Sequence, residues 1–198
     1  PLYVLGESMG GAVAVLALAG ETQTVVQGLI LSAPAVWSRS TMPWWQRSGL
    51  WISARLAPAW KVTGEGLDVQ ASDNRAMLIA LGRDPRVIRE TRIDALYGVV
   101  NLMDEASRSA GMLSLPVLVL NGERDEVIPQ QPVVSFVAGL PEQNRRFARY
   151  ERGYHMLLRD LQAPRVWQDV LAWMREPGDP LPSAADRPGE TQAEPDDR

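Results

Sequence analysis

The residues with the clearest chemical signature form the sequence GESMG at positions 6–10, near the start of the chain. An apolar run precedes this sequence and an alanine-rich apolar run follows it, which predicts a strand, a sharp turn and a helix. In such a turn the hydroxyl of Ser8 stands free as a nucleophile, and Gly6 and Gly10 let strand and helix approach without Cβ clashes. The backbone N–H of Met9, at the start of the helix, is placed to donate to an oxyanion.

A general base for this serine is available in His155, the single histidine of the chain. It follows an alternating segment, 145–150, that predicts a strand, and a turn at Gly153. A lone histidine is more often a structural or surface residue, but a histidine downstream of a nucleophilic turn is a candidate base. We therefore expect His155 to take the proton of Ser8.

The third member of such a site is a carboxylate that orients the imidazole, and Asp125 is the candidate. Residues 116–120 are a continuous apolar run that predicts a buried strand, and Asp125 lies in the polar loop after it. Glu123 and Glu126 compete for the same role. The alternative for Asp125 is that it only caps the turn or the helix that follows.

Three sequences, GESMGGAVA, LPVLVLNGERDEVIP and GYHMLL, occur in this order along the chain. Together they resemble the monoacylglycerol lipase and lysophospholipase-type branch of the α/β hydrolases, over about residues 2–175. The resemblance implies a serine hydrolase of glycerol monoesters or related lipid esters that uses no metal or organic cofactor. It also implies a Ser-His-Asp triad of Ser8, His155 and Asp125 that works through an acyl-enzyme.

The order of predicted elements indicates an α/β protein with a mostly parallel sheet, because strands alternate with helices. The predicted strands are 2–5, 25–31, 116–121 and 145–150, and the predicted helices are 9–19, 130–139 and 162–175. We expect an α/β-hydrolase core at residues 1–35 and 111–176, a helical cap at 36–110 and a disordered tail at 177–198.

The resemblance also concerns what precedes the nucleophilic turn. Members of the family carry further strands and a His-Gly oxyanion motif upstream, whereas this chain starts with Pro1 directly before the turn. We therefore expect the chain to be the C-terminal part of a longer enzyme and to supply the last strands of the fold, about strands 5 to 8. The activity of the chain by itself stays open, and an inactive truncated fragment is one alternative.

Residues 36–110 contain helical apolar faces that suit a cap. One face carries large apolar side chains, namely Trp44, Trp45, Trp51, Ile52 and Leu56. A second helix is expected to start at Asp84-Pro85. These faces either cover the core or line an acyl pocket above Ser8, with the tryptophans in contact with the membrane interface.

Composition excludes several classes of partner and site. The formal net charge of −4 argues against nucleic acid, and the absence of cysteine excludes disulfides and thiolate metal sites. No apolar stretch is long enough to predict a membrane span. The sequence leaves the location unknown, and a cytoplasmic or peripheral membrane location is favoured.

The predicted triad leaves other substrates open. Small esters, amides, peptides and halide-dependent peroxidation use the same kind of turn, because specificity depends on the pocket. A serine at position 8 argues against dehalogenase or epoxide hydrolase chemistry, which uses an aspartate at that place.

Overall fold

The structure is a computed structural model that describes residues 1–21, 25–37, 39–64 and 69–186. Its strands are β1 (Leu2–Glu7), β2 (Val26–Ser32), β3 (Lys61–Thr63), β4 (Glu90–Arg92), β5 (Val117–Gly122) and β6 (Arg145–Tyr150). Its helices are α1 (Met9–Leu18), α2 (Trp44–Leu56), α3 (Arg75–Arg83), α4 (Ile93–Arg108), α5 (Gln130–Gly139) and α6 (Ala163–Arg175).

Four of the strands form one parallel sheet in the order β1-β2-β5-β6. Helices connect them, which confirms the predicted α/β class. Among the described residues, β1 lies at one edge of this sheet and β6 at the other. Parallel strands place their carboxyl ends on the same side, so the loops after β1, β5 and β6 meet there.

The sheet is covered on both faces, which explains the unbroken apolar runs of its inner strands. Leu29 and Leu31 of β2 contribute to a core shared with α1, α4 and α5. Ile30, between them, points to the opposite core, where Val166 and Trp173 of α6 pack. This alternation is the two-residue period of a strand, and it fixes which helix covers each face.

Residues 36–110, the predicted cap, lie between β2 and β5 along the chain; their described part contains α2, α3, α4 and a two-stranded antiparallel sheet of β3 and β4. Helix α4 packs against α1, whereas α2 packs against α4 and has no buried residue. The prediction of a helix start at Asp84 was wrong. Asp84 instead follows the last residue of α3, and its carboxylate accepts hydrogen bonds from the backbone and side chain of Arg86.

The prediction of a disordered tail from residue 177 is wrong for residues 177–186, which pack against the core. Leu181 is buried, and Ser183 donates its backbone N–H to the fully buried carboxylate of Asp169 on α6, at 2.9 Å. Asp186 pairs with Arg146 of β6 at 2.8 Å. The segment contains few apolar residues, and the side chains that anchor it bind partners far away in the sequence. Its packing against the core therefore leaves no local signal in the sequence. Residues 187–198 lie outside the described residues.

No helix within the described ranges has both the length and the apolar character needed to cross a bilayer.

Candidate active site

The turn between β1 and α1 holds Ser8 in a strained backbone conformation, with φ 53° and ψ −121°. Its N–H donates to the carbonyl of Ser32 on the neighbouring strand at 3.0 Å. Residue 6 must be small here, since a Cβ on Gly6 would lie 2.6 Å from the backbone oxygen of Gly10. The close packing of strand and helix therefore holds a conformation that a non-glycine residue otherwise avoids.

The clash expected at Gly10 is not present. A Cβ at this position would meet no atom within 4 Å, whereas a Cβ on Gly11 would lie 3.0 Å from the side chain of Pro34. The reason is that Gly10 faces away from β1 while Gly11 faces the segment that follows β2. The tight approach on the helix side thus depends on Gly11.

Ser8, His155 and Asp125 lie next to one another at the carboxyl ends of β1, β5 and β6. His155 Nε2 is 3.0 Å from Ser8 Oγ, and His155 Nδ1 is 2.9 Å from Asp125 Oδ2. The imidazole and the carboxylate are buried, with 8% and 7% of each residue exposed, while Ser8 is partly accessible. A base within hydrogen-bonding distance of a hydroxyl, oriented by a carboxylate, is the arrangement that can activate a serine for attack on a carbonyl.

The second oxygen of Asp125 has a structural partner as well. Oδ1 accepts the backbone N–H groups of Val127 and Ile128, at 2.8 and 3.0 Å. Asp125 therefore caps this turn through Oδ1 and faces the imidazole through Oδ2, and its role as the acid of a triad stays a prediction. The two bonds to Oδ1 hold the carboxylate in place, with Oδ2 directed at His155.

The two competing acids lie elsewhere. Glu123 pairs with Arg149 at 3.0 Å, and Glu126 accepts the backbone N–H of Gln70 at 2.8 Å. Neither contact involves the imidazole of His155. Glu126 instead joins the loop after β5 to the segment before α3.

The loops that carry Asp125 and His155 are bonded to each other through their backbones. Arg124 N–H donates to the carbonyl of Gly153 at 2.9 Å, and a Cβ on Gly122 would collide with the same part of Gly153. The absence of a side chain at position 122 brings the two loops into contact, which sets the distance between carboxylate and imidazole.

The backbone N–H expected to stabilise an oxyanion belongs to the first residue of α1. The first N–H groups of a helix have no partner within the helix, so that of Met9 has no acceptor in α1. The positive end of the helix dipole lies at the same residues, directly after Ser8. The role of this donor stays a prediction.

Sequence reasoning missed several polar residues beside the site. Arg159, four positions after His155, pairs with Glu7, the neighbour of Ser8. Asp160 is buried and accepts a hydrogen bond from Ser72 of the cap at 2.6 Å. Burial raises the pKa of the Asp160 carboxyl above its ordinary value. The available signal was a pair of charged residues in the apolar segment after the histidine.

A cavity in the predicted cap is lined neither by Ser8 nor by His155. It has a volume of about 620 Å³, and its walls include Arg39, Trp44, Arg47, Trp51 and Tyr97. The guanidinium of Arg39 lies 5.2 Å from the centre of the Tyr97 ring. The cavity combines aromatic surface with positive charge, which suits an amphipathic molecule.

Comparison with known proteins gives consistent results. Residues 1–162 match the family described as Hydrolase_4, serine aminopeptidase S33. The chain is 28% identical to monoglyceride lipase of Rattus norvegicus over 177 residues, which are 86% of this chain and 56% of that protein. It is 22% identical to a phospholipase of Bacillus subtilis, over 87% of this chain and 67% of the relative.

Solved structures agree on the fold. Monoacylglycerol lipase of Paleococcus ferrophilus superimposes with a TM-score of 0.74 at 20% identity, over 87% of this chain and 67% of that one. A soluble variant of monoglyceride lipase from Saccharomyces cerevisiae, in complex with a substrate analogue, gives a TM-score of 0.69 at 19% identity, over 88% and 61% of the two chains. The chain spans little more than half the length of the rat relative, at 56%.

Proposed function

Since the chain belongs to the serine aminopeptidase S33 family of α/β hydrolases, we propose that it carries the catalytic centre of a serine hydrolase that cleaves carboxylic esters. The observation that carries this proposal is the continuous hydrogen-bonded path from Ser8 through His155 to Asp125, at 3.0 and 2.9 Å. The site needs only side-chain and backbone groups for this chemistry.

In the proposed mechanism the Oγ of Ser8 attacks the ester carbonyl while Nε2 of His155 accepts its proton. Asp125 accepts the Nδ1–H of the imidazole, which fixes the tautomer and stabilises the imidazolium. The same Nε2–H then protonates the leaving alcohol, and an acyl-enzyme on Ser8 remains. Water repeats the sequence with His155 as base and frees the acid.

We assign the stabilisation of the tetrahedral intermediate to the backbone N–H of Met9, at the amino end of α1. Hydrolases of this fold add a second donor from a loop after an earlier strand. Loss of one such donor costs about 10²- to 10³-fold in turnover, so the donors available to Ser8 decide the rate. If the Met9 donor acts alone, turnover should be lower by this factor.

Lipid monoesters are the proposed substrate class, of the monoacylglycerol or lysophospholipid type. The support is similarity to proteins named monoglyceride lipase and phospholipase. The test compares p-nitrophenyl esters from acetate to palmitate with monoacylglycerol and lysophospholipid, using Ser8→Ala as the blank. Preference for long acyl chains and turnover of a lipid monoester support the proposal. Preference for acetate without turnover of either lipid would contradict it.

A peptidase or amidase is the second candidate, because the matching family is described as serine aminopeptidase. The same triad can cleave an amide when the pocket holds a peptide amino terminus. Aminoacyl p-nitroanilides added to the ester panel separate the two functions. Cleavage of these amides at a rate comparable to that of the best ester would favour the peptidase.

We also propose that the cap contacts the membrane interface through α2. Trp44 and Trp45 are 75% and 60% exposed, and α2 carries Arg47 and Arg55 but no acidic residue. Tryptophan rings partition into the interface, and arginines are attracted by anionic lipid headgroups.

Sedimentation with phosphatidylcholine vesicles, with and without phosphatidylglycerol, measures this contact. The W44A/W45A variant should bind less than the wild type. Trp167→Ala, which removes another exposed tryptophan, on α6, is the control and should bind like the wild type. Equal binding by all three proteins would contradict the role of α2.

A further inference from the structure

The loop that carries His155 has no helix or strand between β6 and α6, so hydrogen bonds from side chains and backbone hold it in place. Asp160 does so from within the loop. Its Oδ2 accepts the backbone N–H of Tyr154, the residue before His155, at 2.8 Å. Its own backbone N–H donates to the carbonyl of Met156, the residue after His155, at 3.0 Å. Asp160 therefore bonds to the chain on both sides of the imidazole.

The other oxygen of this carboxylate leaves the loop and contacts the cap. Oδ1 accepts the hydroxyl of Ser72 at 2.6 Å, and the two residues are only 3% and 2% exposed. Ser72 belongs to the segment 70–74, which precedes α3. One buried carboxylate thus joins the backbone beside His155 to a segment of the cap 88 positions away in the sequence.

Further hydrogen bonds join the same two segments. Met156 donates its N–H to the carbonyl of Ala71 at 3.0 Å, and Leu161 donates its N–H to the carboxylate of Asp73 at 2.8 Å. Asn74 donates its side-chain amide to the carbonyl of Arg159 at 2.9 Å. The segment 70–74 is therefore attached at several points to residues 156–161 of the histidine loop, and the bond to Asp160 is the buried one.

The role of the buried Asp160 carboxylate goes beyond filling space in the core. A buried carboxylate pays a desolvation cost that an apolar side chain of similar size avoids, and burial raises its pKa. What the carboxylate provides is two acceptors fixed at a defined angle, one for each segment. An apolar residue at position 160 would leave Tyr154 N–H and the Ser72 hydroxyl without these acceptors.

We propose that Asp160 is a positioning residue that couples the seating of the cap segment 70–74 to the placement of the His155 imidazole between Ser8 and Asp125. Asp160 touches none of the reacting atoms and acts through the backbone of Tyr154. The effect on turnover rests on the proposed role of His155 as base. The effect on the position of the imidazole ring does not depend on that role. Turnover and ring position can therefore be measured separately.

The test uses the fact that the chain holds one histidine. In a sample without a histidine tag, the nitrogen and carbon NMR resonances of the ring report on His155 alone. Asp160→Asn and Ser72→Ala are the variants, and Ser72→Thr, which keeps the hydroxyl, is the rescue. Asp169→Asn is the matched control, because Asp169 is also fully buried and bonded to Tyr150 and Ser183, outside the histidine loop.

We expect Asp160→Asn and Ser72→Ala to shift the His155 resonances and to lower the rate at which a fluorophosphonate phosphonylates Ser8, with release of fluoride, about 10- to 100-fold. Ser72→Thr and Asp169→Asn should leave both measurements close to the wild type, even where Tm falls. The proposal is overturned if Asp160→Asn and Ser72→Ala give His155 spectra like that of Asp169→Asn. A wild type that fails to label while the resonances shift as expected supports the coupling and counts against the proposed function alone.

Discussion

Replacing Asp125 by asparagine separates the chemical role of this residue from its structural one. Oδ1 accepts two backbone N–H groups, from Val127 and Ile128, whereas Oδ2 faces His155 Nδ1 at 2.9 Å. An asparagine oxygen can keep the backbone bonds, but its amide N–H then faces Nδ1 and favours the tautomer with the proton on Nε2. That tautomer cannot accept the proton of Ser8, so we expect kcat to fall about 10⁴-fold, or about 5 kcal/mol.

Asp125→Ala should lower the stability of the protein as well as its activity. It removes both backbone hydrogen bonds, each contributing about 1 kcal/mol, so the free energy of unfolding should fall by about 2 kcal/mol. Hydrolysis of a p-nitrophenyl ester at saturation and urea unfolding measure the two effects. Glu123→Gln and Glu126→Gln are matched controls that should keep kcat within about threefold, since neither acid contacts the imidazole. The proposed role of Asp125 is wrong if Asp125→Asn keeps kcat within tenfold of wild type. It is also wrong if kcat falls further in either glutamine variant than in Asp125→Asn.

Gly6→Ala places a Cβ 2.6 Å from a backbone oxygen and should lower the free energy of unfolding by about 1–3 kcal/mol, whereas Gly10→Ala meets no atom within 4 Å and should not lower it. Urea unfolding compares the pair, and a larger loss in Gly10→Ala contradicts the packing argument. Because burial raises the pKa of Asp160, the native state keeps this proton at higher pH than the unfolded chain. Its contribution to stability therefore falls as pH rises from the ordinary value of 3.8 through the folded pKa. Asp160→Asn should remove that dependence, and parallel stability profiles for both proteins would disprove it. Leu181→Ala should cost at least about 2 kcal/mol because Leu181 is 3% exposed, while Leu161→Ala, at 70% exposure, should cost little; equal Tm values would show that residues 177–186 do not stabilise the core.

Much of the core could be predicted because its elements carry strong local signals. Helix α5 and strand β6 begin and end at the residues expected from periodicity, and proline marks the start of the helix. The turn at Ser8 was recognisable because glycine is required where β1 and α1 meet. Such positions depend on neighbours close in the sequence, which a single chain displays directly.

The cap was less predictable for the opposite reason. Strands β3 and β4 have three residues each, too few to show a period. Helix α3 does carry a local signal in the sequence, an asparagine at its N-cap. The side chain of Asn74 accepts the N–H of Met77 at 3.1 Å. The pairing of Ser72 with Asp160 depends on the folded cap, and nothing local distinguishes these residues from other serines and aspartates.

The central claim is that Ser8 is an activated nucleophile, and covalent labelling tests it most directly. The folded protein is treated with a fluorophosphonate, its intact mass is measured, and the modified peptide is sequenced by mass spectrometry. We predict one adduct, on Ser8, that is lost in Ser8→Ala and formed far more slowly in His155→Ala. A folded wild type that takes up no label, or an adduct that persists in Ser8→Ala, would contradict the account.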